Sequence, residues 1–468
     1  DITDPKRDKY TLKYYVGLAK ELAGVGVHFI AIKDMAGLCK PFAAEKLVRS
    51  IREETGLPLH FHTHATSGNG EATVLKAAEA GADIVDLAIS SLSGLTSQPS
   101  LNAVVAALEG SERDTGIDVT GLHKLSAYWE AVREYYAPFE GDMKASNADV
   151  YLNEIPGGQY TNLRSQARSL GLGDRWEEIK RMYADVNKLF GDIVKVTPSS
   201  KVVGDMALYM VQNNLKSEEV LKRADQLSFP DSAVDMMQGN LGQTLGGFPF
   251  ELQRAILRGK KPLDVRPGEL IPQADFEETP KRLQVKLGHS ISNHDTISAL
   301  LYPGVFEDFD KHRSLYGDIS IIPTHAFYYG MEPGDEITVE IEEGKTILIK
   351  LFAMGELEPD GSKPLLFEIN GQPRPVRVPD KSVAGTLIKT RPRADINNPD
   401  EVGAPLSGKI VKFFVKEDDN VVHDQPLFVI EAMKMQTNIK ALKDGAINSI
   451  NFHEGENVEA GELVLHLK

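Results

Sequence analysis

The chain has 468 residues, 52 Lys and Arg against 68 Asp and Glu, a net charge of −16, and 41% hydrophobic residues. That length exceeds one ordinary domain, and the acidic balance excludes a basic nucleic-acid-binding face. Cys39 is the only cysteine, which excludes a disulfide framework or a Cys-based metal site and suits a reducing compartment. No apolar run approaches the roughly 20 residues of a membrane span, and no signal or transit peptide is visible.

The first hundred residues alternate helix and strand patterns. Tyr10–Gly26, Lys40–Glu54 and Glu71–Ala80 read as helices; His28–Asp34, Leu59–His64 and Asp83–Ser90 read as apolar strands between them. Helices of this length between buried strands predict βα units on a parallel sheet, in a doubly wound or (β/α)8 arrangement. Polar residues gather at the C-terminal ends of the strands, where both architectures build active sites. Eight strands close a barrel and only three are legible, so the barrel reading expects an upstream half outside this chain. Residues 101–259 read as helical, with loops at Ile155–Tyr160 and Lys195–Asp205. The stretch 265–315 is mixed, Glu336–Arg377 alternates as strands with an Asn-Gly hairpin signal, and Lys381–Gly403 reads as a linker. The last 65 or so residues predict a small all-β flattened barrel.

Three motifs carry chemistry. Lys434 sits between two methionines in EAMKMQT, on a turn between two strands; an exposed turn with apolar flanks reads as a recognition surface for a modifying enzyme. His60, His62 and His64 alternate along one strand and so share a face. His62 and His64 could hold one divalent ion, or could be hydrogen-bonded site histidines; His60 reads as the latter, one layer deeper. Lys33 ends the preceding strand in IKDMAG. KVTPSSKVVGDMA is too polar and too rich in Pro and Ser to be core, yet runs into an apolar helix, with Ser199 or Ser200 reading as its N-cap.

These motifs resemble a known family. The AMKM segment, with Ala404, Pro405, Gly408 and Gly445, is similar to the biotinyl domain, which implies biotin on Lys434, attached by a biotin protein ligase. KDMAG and HTH resemble the carboxyltransferase family shared by pyruvate carboxylase, oxaloacetate decarboxylase and transcarboxylase. The resemblance implies that Lys33 is carbamylated and binds a divalent metal (Zn or Mn) with His62 and His64, a further aspartate ligand lying on a strand this chain does not contain. The KVTPSS segment resembles the pyruvate carboxylase stretch whose threonine, here Thr197, relays a proton between pyruvate and biotin, with Ser200 contacting the biotin ring. GLTSQPS and NEIPGGQYTNL also match the family. One departure is Ala65, where pyruvate carboxylases carry Asp and the decarboxylase relatives often carry Ala.

The fold expected is α/β: residues 1–90 as the last part of a carboxyltransferase (β/α)8 TIM barrel, 91–280 as its helical extension, 281–380 as a β-rich tetramerisation and allosteric domain, 381–400 as a linker and 401–468 as the biotin carrier. The activity implied is transfer of CO2 from carboxybiotin to pyruvate, giving oxaloacetate for anaplerosis and gluconeogenesis. ATP, Mg and bicarbonate would act at a biotin carboxylase domain upstream. The resemblance further implies a homotetramer, an acetyl-CoA effector, and a bacterial cytoplasmic or mitochondrial matrix location, with no nucleic-acid or membrane partner. An oxaloacetate decarboxylase subunit or transcarboxylase is the alternative enzyme. A non-catalytic carrier and assembly subunit is the alternative of another class.

Overall fold

A computed structural model describes residues 2–3, 8–358, 361–380, 391–395, 398–432 and 435–468. Two compact units emerge, one of 1–269 with 391–468 and one of 270–390. In the first, helix α1 (Leu12–Gly24) leads into strand β1 (Ile30–Asp34), α2 (Pro41–Thr55), β2 (Leu59–Thr63), α3 (Gly70–Glu79) and β3 (Ile84–Val85). The strands pair in parallel in the order β1-β2-β3. Pro41 starts α2 where its missing N–H costs nothing, and Gly56 ends it in a left-handed conformation.

Ile30, Leu59 and Phe61 are buried against Ala44, Val48 and Ile51 of α2 and Val74 and Ala77 of α3. The alternate residues Ala31, Lys33 and Ile84 are exposed, and His60 and His62 half-buried. The sheet therefore has one face packed by helices and one open face that carries the polar residues. The third strand is shorter than the eight residues expected, because the chain turns at Asp86 to meet two histidines and resumes pairing only at Ala88 with Ser100.

Residues 101–257 are helical, and their core is the largest, running from Ile155 to Leu257 around Tyr183, Phe190, Met206 and Tyr209. The Ser199–Gln212 helix is its spine: eleven of its fourteen residues are buried. Neither Ser199 nor Ser200 caps that helix, because Pro198 occupies the cap position without a side-chain bond. Ser199 Oγ instead donates to the Val194 and Val196 carbonyls and accepts from the Val196 N–H, pinning the preceding loop.

Chain segment 391–468 is all β: β8 (Glu401–Gly403), β9 (Gly408–Phe413), β10 (Asn420–Val421), β11 (Pro426–Ala432), β12 (Met435–Lys440), β13 (Gly445–Ile450), β14 (Asn457–Val458) and β15 (Leu463–Leu467). They form two four-stranded sheets, β10-β13-β15-β8 and β12-β11-β9-β14, around a core of Leu427, Phe428, Ile430, Ile447, Val464 and Leu465.

The second unit holds the helices Glu278–Leu287, Asn293–Leu301 and Pro303–Tyr316, then the antiparallel sheet β4 (Glu336–Glu342), β5 (Lys345–Met354), β6 (Ser362–Ile369) and β7 (Gln372–Pro379). The stretch 265–315, mixed by composition, is thus mainly helical. The Asn-Gly signal is where it was expected: Asn370 and Gly371 join β6 to β7 with φ of 47° and 78°, the signs a type I′ turn needs. The linker residues 381–390 lie outside the described residues.

Candidate active site on the open sheet face

β1 and β2 pair in register with Lys33 opposite His62 and Ala31 opposite His60. Strand alternation then puts Lys33, His60 and His62 on one face, with His64 just past the C-terminal end of β2. His64 Nδ1 lies 2.7 Å from the Thr96 carbonyl. A carbonyl only accepts, so the Nδ1 carries the proton and Nε2 is left with a free lone pair. His62 Nδ1 lies 2.7 Å from Asp86 Oδ2, and His60 Nε2 the same distance from Asp86 Oδ1. Burial works to raise the Asp86 carboxyl, but the two imidazole donors outweigh it and hold Asp86 below its usual value. An ionised Asp86 fixes His62 as the Nδ1–H tautomer.

The two Nε2 atoms consequently face one another at 3.3 Å with no proton required between them. Two lone pairs at that separation repel unless a cation sits between or beside them. Burial also lowers the His64 pKa, which keeps the ring neutral, the form a metal binds. The donor set thus fits a divalent ion: two imidazole nitrogens, each oriented through its other nitrogen by an oxygen acceptor, with Lys33 opposite. Among the described residues no third His, Cys, Asp or Glu joins them.

The loops around this pair are built to support it. The Gly157 N–H donates to Met35 O at 2.9 Å, and a Cβ at Gly157 would come within 2.6 Å of both His64 Nδ1 and Thr96 O. The loop expected at Ile155–Tyr160 is instead the entry to the Gly157–Ser169 helix, whose first residue closes directly over the His64–Thr96 hydrogen bond. Asp34 accepts from the Leu38 and Cys39 N–H groups and from Thr63 Oγ1, so it shapes the turn after Lys33. Burial drives the Cys39 thiol far above its usual value, which leaves it inert. Ala65 is 3% exposed, lies against Gly70 and donates its N–H to Ser97 O. A carboxylate there would be buried among small residues, so alanine suits this packing.

Thr197 is exposed and Ser200 buried at the start of the Ser199–Gln212 helix. A cavity of about 340 Å³ is lined by Lys33, Asp34, Glu154, Lys195 and Val196, bringing the segment before Thr197 to the same hollow as Lys33. Within it Lys195 Nζ and Glu154 Oε2 pair at 2.7 Å, with both side chains largely buried. The hydrogen bonds of His60, His62 and His64 described above run to Asp86, to each other and to Thr96 rather than to Thr197 or Ser200. In the carrier, β11 and β12 pair through Ala432 and Met435; Met433 and Lys434, which join them, lie outside the described residues. Asp86, Thr96 and Gly157 were not foreseen from the sequence. Asp86 has the strand parity of Ile84 and could have been found; a backbone acceptor such as Thr96 O leaves no sequence signal.

Comparison with known families supplies three matches: "HMGL-like" at residues 6–128, "Conserved carboxylase domain" at 150–350 and "Biotin-requiring enzyme" at 400–467. The Bacillus subtilis pyruvate carboxylase is 48% identical over 468 residues, all of this chain and 41% of that protein. Over its whole length the chain is similar to pyruvate carboxylases. The mitochondrial pyruvate carboxylase of Mus musculus is 42% identical over 471 residues, covering 100% of this chain and 40% of its own length. The chain thus spans about two-fifths of these relatives. Among solved structures, the carboxyl transferase domain of Rhizobium etli pyruvate carboxylase matches with a TM-score of 0.76 and 52% identity, over 81% of this chain and 64% of that one. The complete multifunctional Rhizobium etli enzyme matches with a TM-score of 0.75 and 48% identity, over 100% of this chain and 43% of its own. The three parallel βα units are accordingly part of a TIM-barrel carboxyltransferase fold, and the C-terminal β segment is a biotinyl domain. No helix among the described residues is long and apolar enough to cross a membrane.

Proposed function

We propose that this chain carries out the carboxyl-transfer half of the pyruvate carboxylase reaction, moving a carboxyl group from biotin on Lys434 to pyruvate to give oxaloacetate. The observation that carries the reading is the facing pair of Nε2 lone pairs of His62 and His64, completed by Lys33 opposite. A carbamylated Lys33 would supply an anionic oxygen where a bare ammonium would repel the ion. The metal, Zn or Mn, would act as a Lewis acid on a carbonyl or enolate oxygen. Biotin, the other absent group, would supply the transferable carboxyl. Asp86 and Thr96 hold the two rings in the ligating tautomer, and Gly157 at the start of the Gly157–Ser169 helix lies against the His64 ring. Thr197, exposed beside the cavity that Lys33 lines, has a hydroxyl that both donates and accepts and so can pass a methyl proton of pyruvate to biotin. Ser200 would bear on the biotin ring. A structure of the Rhizobium etli domain with pyruvate and biocytin is among the relatives, which supports this choice of substrates over a decarboxylase reading.

By the same reading, residues 281–380 mediate tetramer assembly and respond to acetyl-CoA. A biotin carboxylase domain of the same protein, using ATP, Mg and bicarbonate, loads the carrier. The protein would work in the bacterial cytoplasm or the mitochondrial matrix. The deciding experiment is intact mass with a peptide map from a host with an active biotin ligase. One biotin confined to the Lys434 peptide and lost in Lys434→Ala is expected, and in the whole enzyme Thr197→Ala should abolish pyruvate carboxylation. An unmodified Lys434 under those conditions sinks the reading.

A further inference from the structure

The carrier segment and the helical extension fall in one compact unit, and specific polar contacts join them. Strand β12 lies against the Asp231–Gln238 helix. There the Asn438 side-chain amide donates to both carboxylate oxygens of Asp231, at 2.9 and 2.8 Å. Beside it Arg258 forms an ion pair with Asp424, while its other terminal nitrogen donates to the Ala224 and Leu227 carbonyls. Arg258 is therefore anchored on its own domain before it meets the carrier, and only 13% of its side chain is exposed. Leu170 is the apolar residue common to the edges of both cores.

This surface is tied to the transfer segment. Asp231 adjoins Ser232, whose Oγ donates at 2.8 Å to Asp205 in the Ser199–Gln212 helix. The same Asp205 oxygen accepts from Lys201 at 2.6 Å, one residue past Ser200. On the carrier side, Asn438 is four residues along the chain from Lys434. Two oriented, charge-assisted contacts set geometry, which suits a domain that must leave and return.

Building on the pyruvate carboxylase reading above, we propose that Asp231 and Arg258 form the docking surface that presents the carrier, and with it Lys434, to the transfer segment; both are positioning residues for carboxyl transfer. A tether gives an effective concentration of order millimolar, so a dock of about 0.1 mM intrinsic affinity is roughly nine-tenths occupied. Removing either polar contact, at roughly tenfold each, then leaves it about half empty.

The test labels a single cysteine on the carrier, in a Cys39→Ser/His453→Cys background, and follows time-resolved anisotropy of the 468-residue chain. His453 has a 90% exposed side chain away from the contacts described. The unaltered interface should tumble mainly with the whole chain. Asn438→Asp, which sets two carboxylates against each other, should raise the fast-tumbling fraction several-fold. Asp231→Asn combined with Asn438→Asp should return it, because the amide–carboxylate pair is rebuilt in reverse. In the whole enzyme, Asp231→Ala should slow pyruvate carboxylation several-fold while bicarbonate-dependent ATP hydrolysis is unchanged. Fast tumbling already in the starting chain, no response to Asn438→Asp, or no rescue by the exchange would overturn the proposal. The tumbling readings do not require biotin on Lys434, so failure of the dock and failure of the functional reading are told apart.

Discussion

Asp86 orients His62 and takes a second bond from His60, yet touches no metal position itself. Outer partners of this kind usually contribute 10–100-fold to metal affinity. Asp86→Asn is therefore expected to weaken metal binding by roughly that factor, measured by competition with a chromogenic chelator, while leaving the helix-packed face of the sheet intact. Gly157 acts by absence of volume. A methyl there would press on His64 Nδ1 and Thr96 O at once, so Gly157→Ala should cost about 1–3 kcal/mol in unfolding free energy. It should also weaken metal binding, because the His64 ring cannot keep its tautomer-fixing bond. The histidine pair was legible in the sequence from strand parity alone. Its tautomers were not, because they depend on a carboxylate 24 residues away in the chain and a carbonyl 32 residues away.

At the level of single elements, the Ser199–Gln212 helix buries Asp205 completely, with Oδ2 bonded to Lys201 and Ser232 and Oδ1 without a hydrogen-bond partner. Burial raises the Asp205 pKa despite the opposing effect of Lys201 and Ser232. A carboxyl raised in the native state binds its proton more tightly there than in the unfolded chain. Its contribution to stability is therefore greatest below the unfolded value of about 3.9 and declines as pH rises toward the native one. Asp205→Asn should flatten that decline, so the stability difference between variant and parent, by urea titration, shifts in the variant's favour as pH rises above about 4. The β6–β7 hairpin offers a second check. Gly371 sits at a φ of 78°, and Gly371→Ala should destabilise the 270–390 unit by about 1 kcal/mol. The Asn-Gly turn was readable because turn chemistry is local. The cap of the Ser199–Gln212 helix was misjudged because Pro198 takes the cap position and the Ser199 hydroxyl bonds to the backbone of the loop before it.

For the molecule as a whole, two units with separate cores should unfold in separate transitions. The proposed metal lies in the unit of 1–269 and 391–468. A ligand held at 1,000 times its dissociation constant stabilises by about 4 kcal/mol. Adding a chelator is thus expected to lower the melting temperature of that unit and leave the other unchanged in calorimetry; a shift in both transitions, or in neither, would count against the site.

Sequence alone determined the parallel βα units, the helical middle, the small β carrier and the motifs at Lys33, His62, His64, Thr197 and Lys434, because period, turn chemistry and short motifs are properties of neighbouring residues. Only the tertiary structure decided what those motifs face. It set Asp86 behind His62, the Thr96 carbonyl and Gly157 behind His64, the Lys195–Glu154 pair beside the Lys33 hollow, and Asn438 of the carrier on Asp231. Each joins segments far apart in the chain, and a hydrogen bond depends on where chain packing brings donor and acceptor together rather than on sequence order.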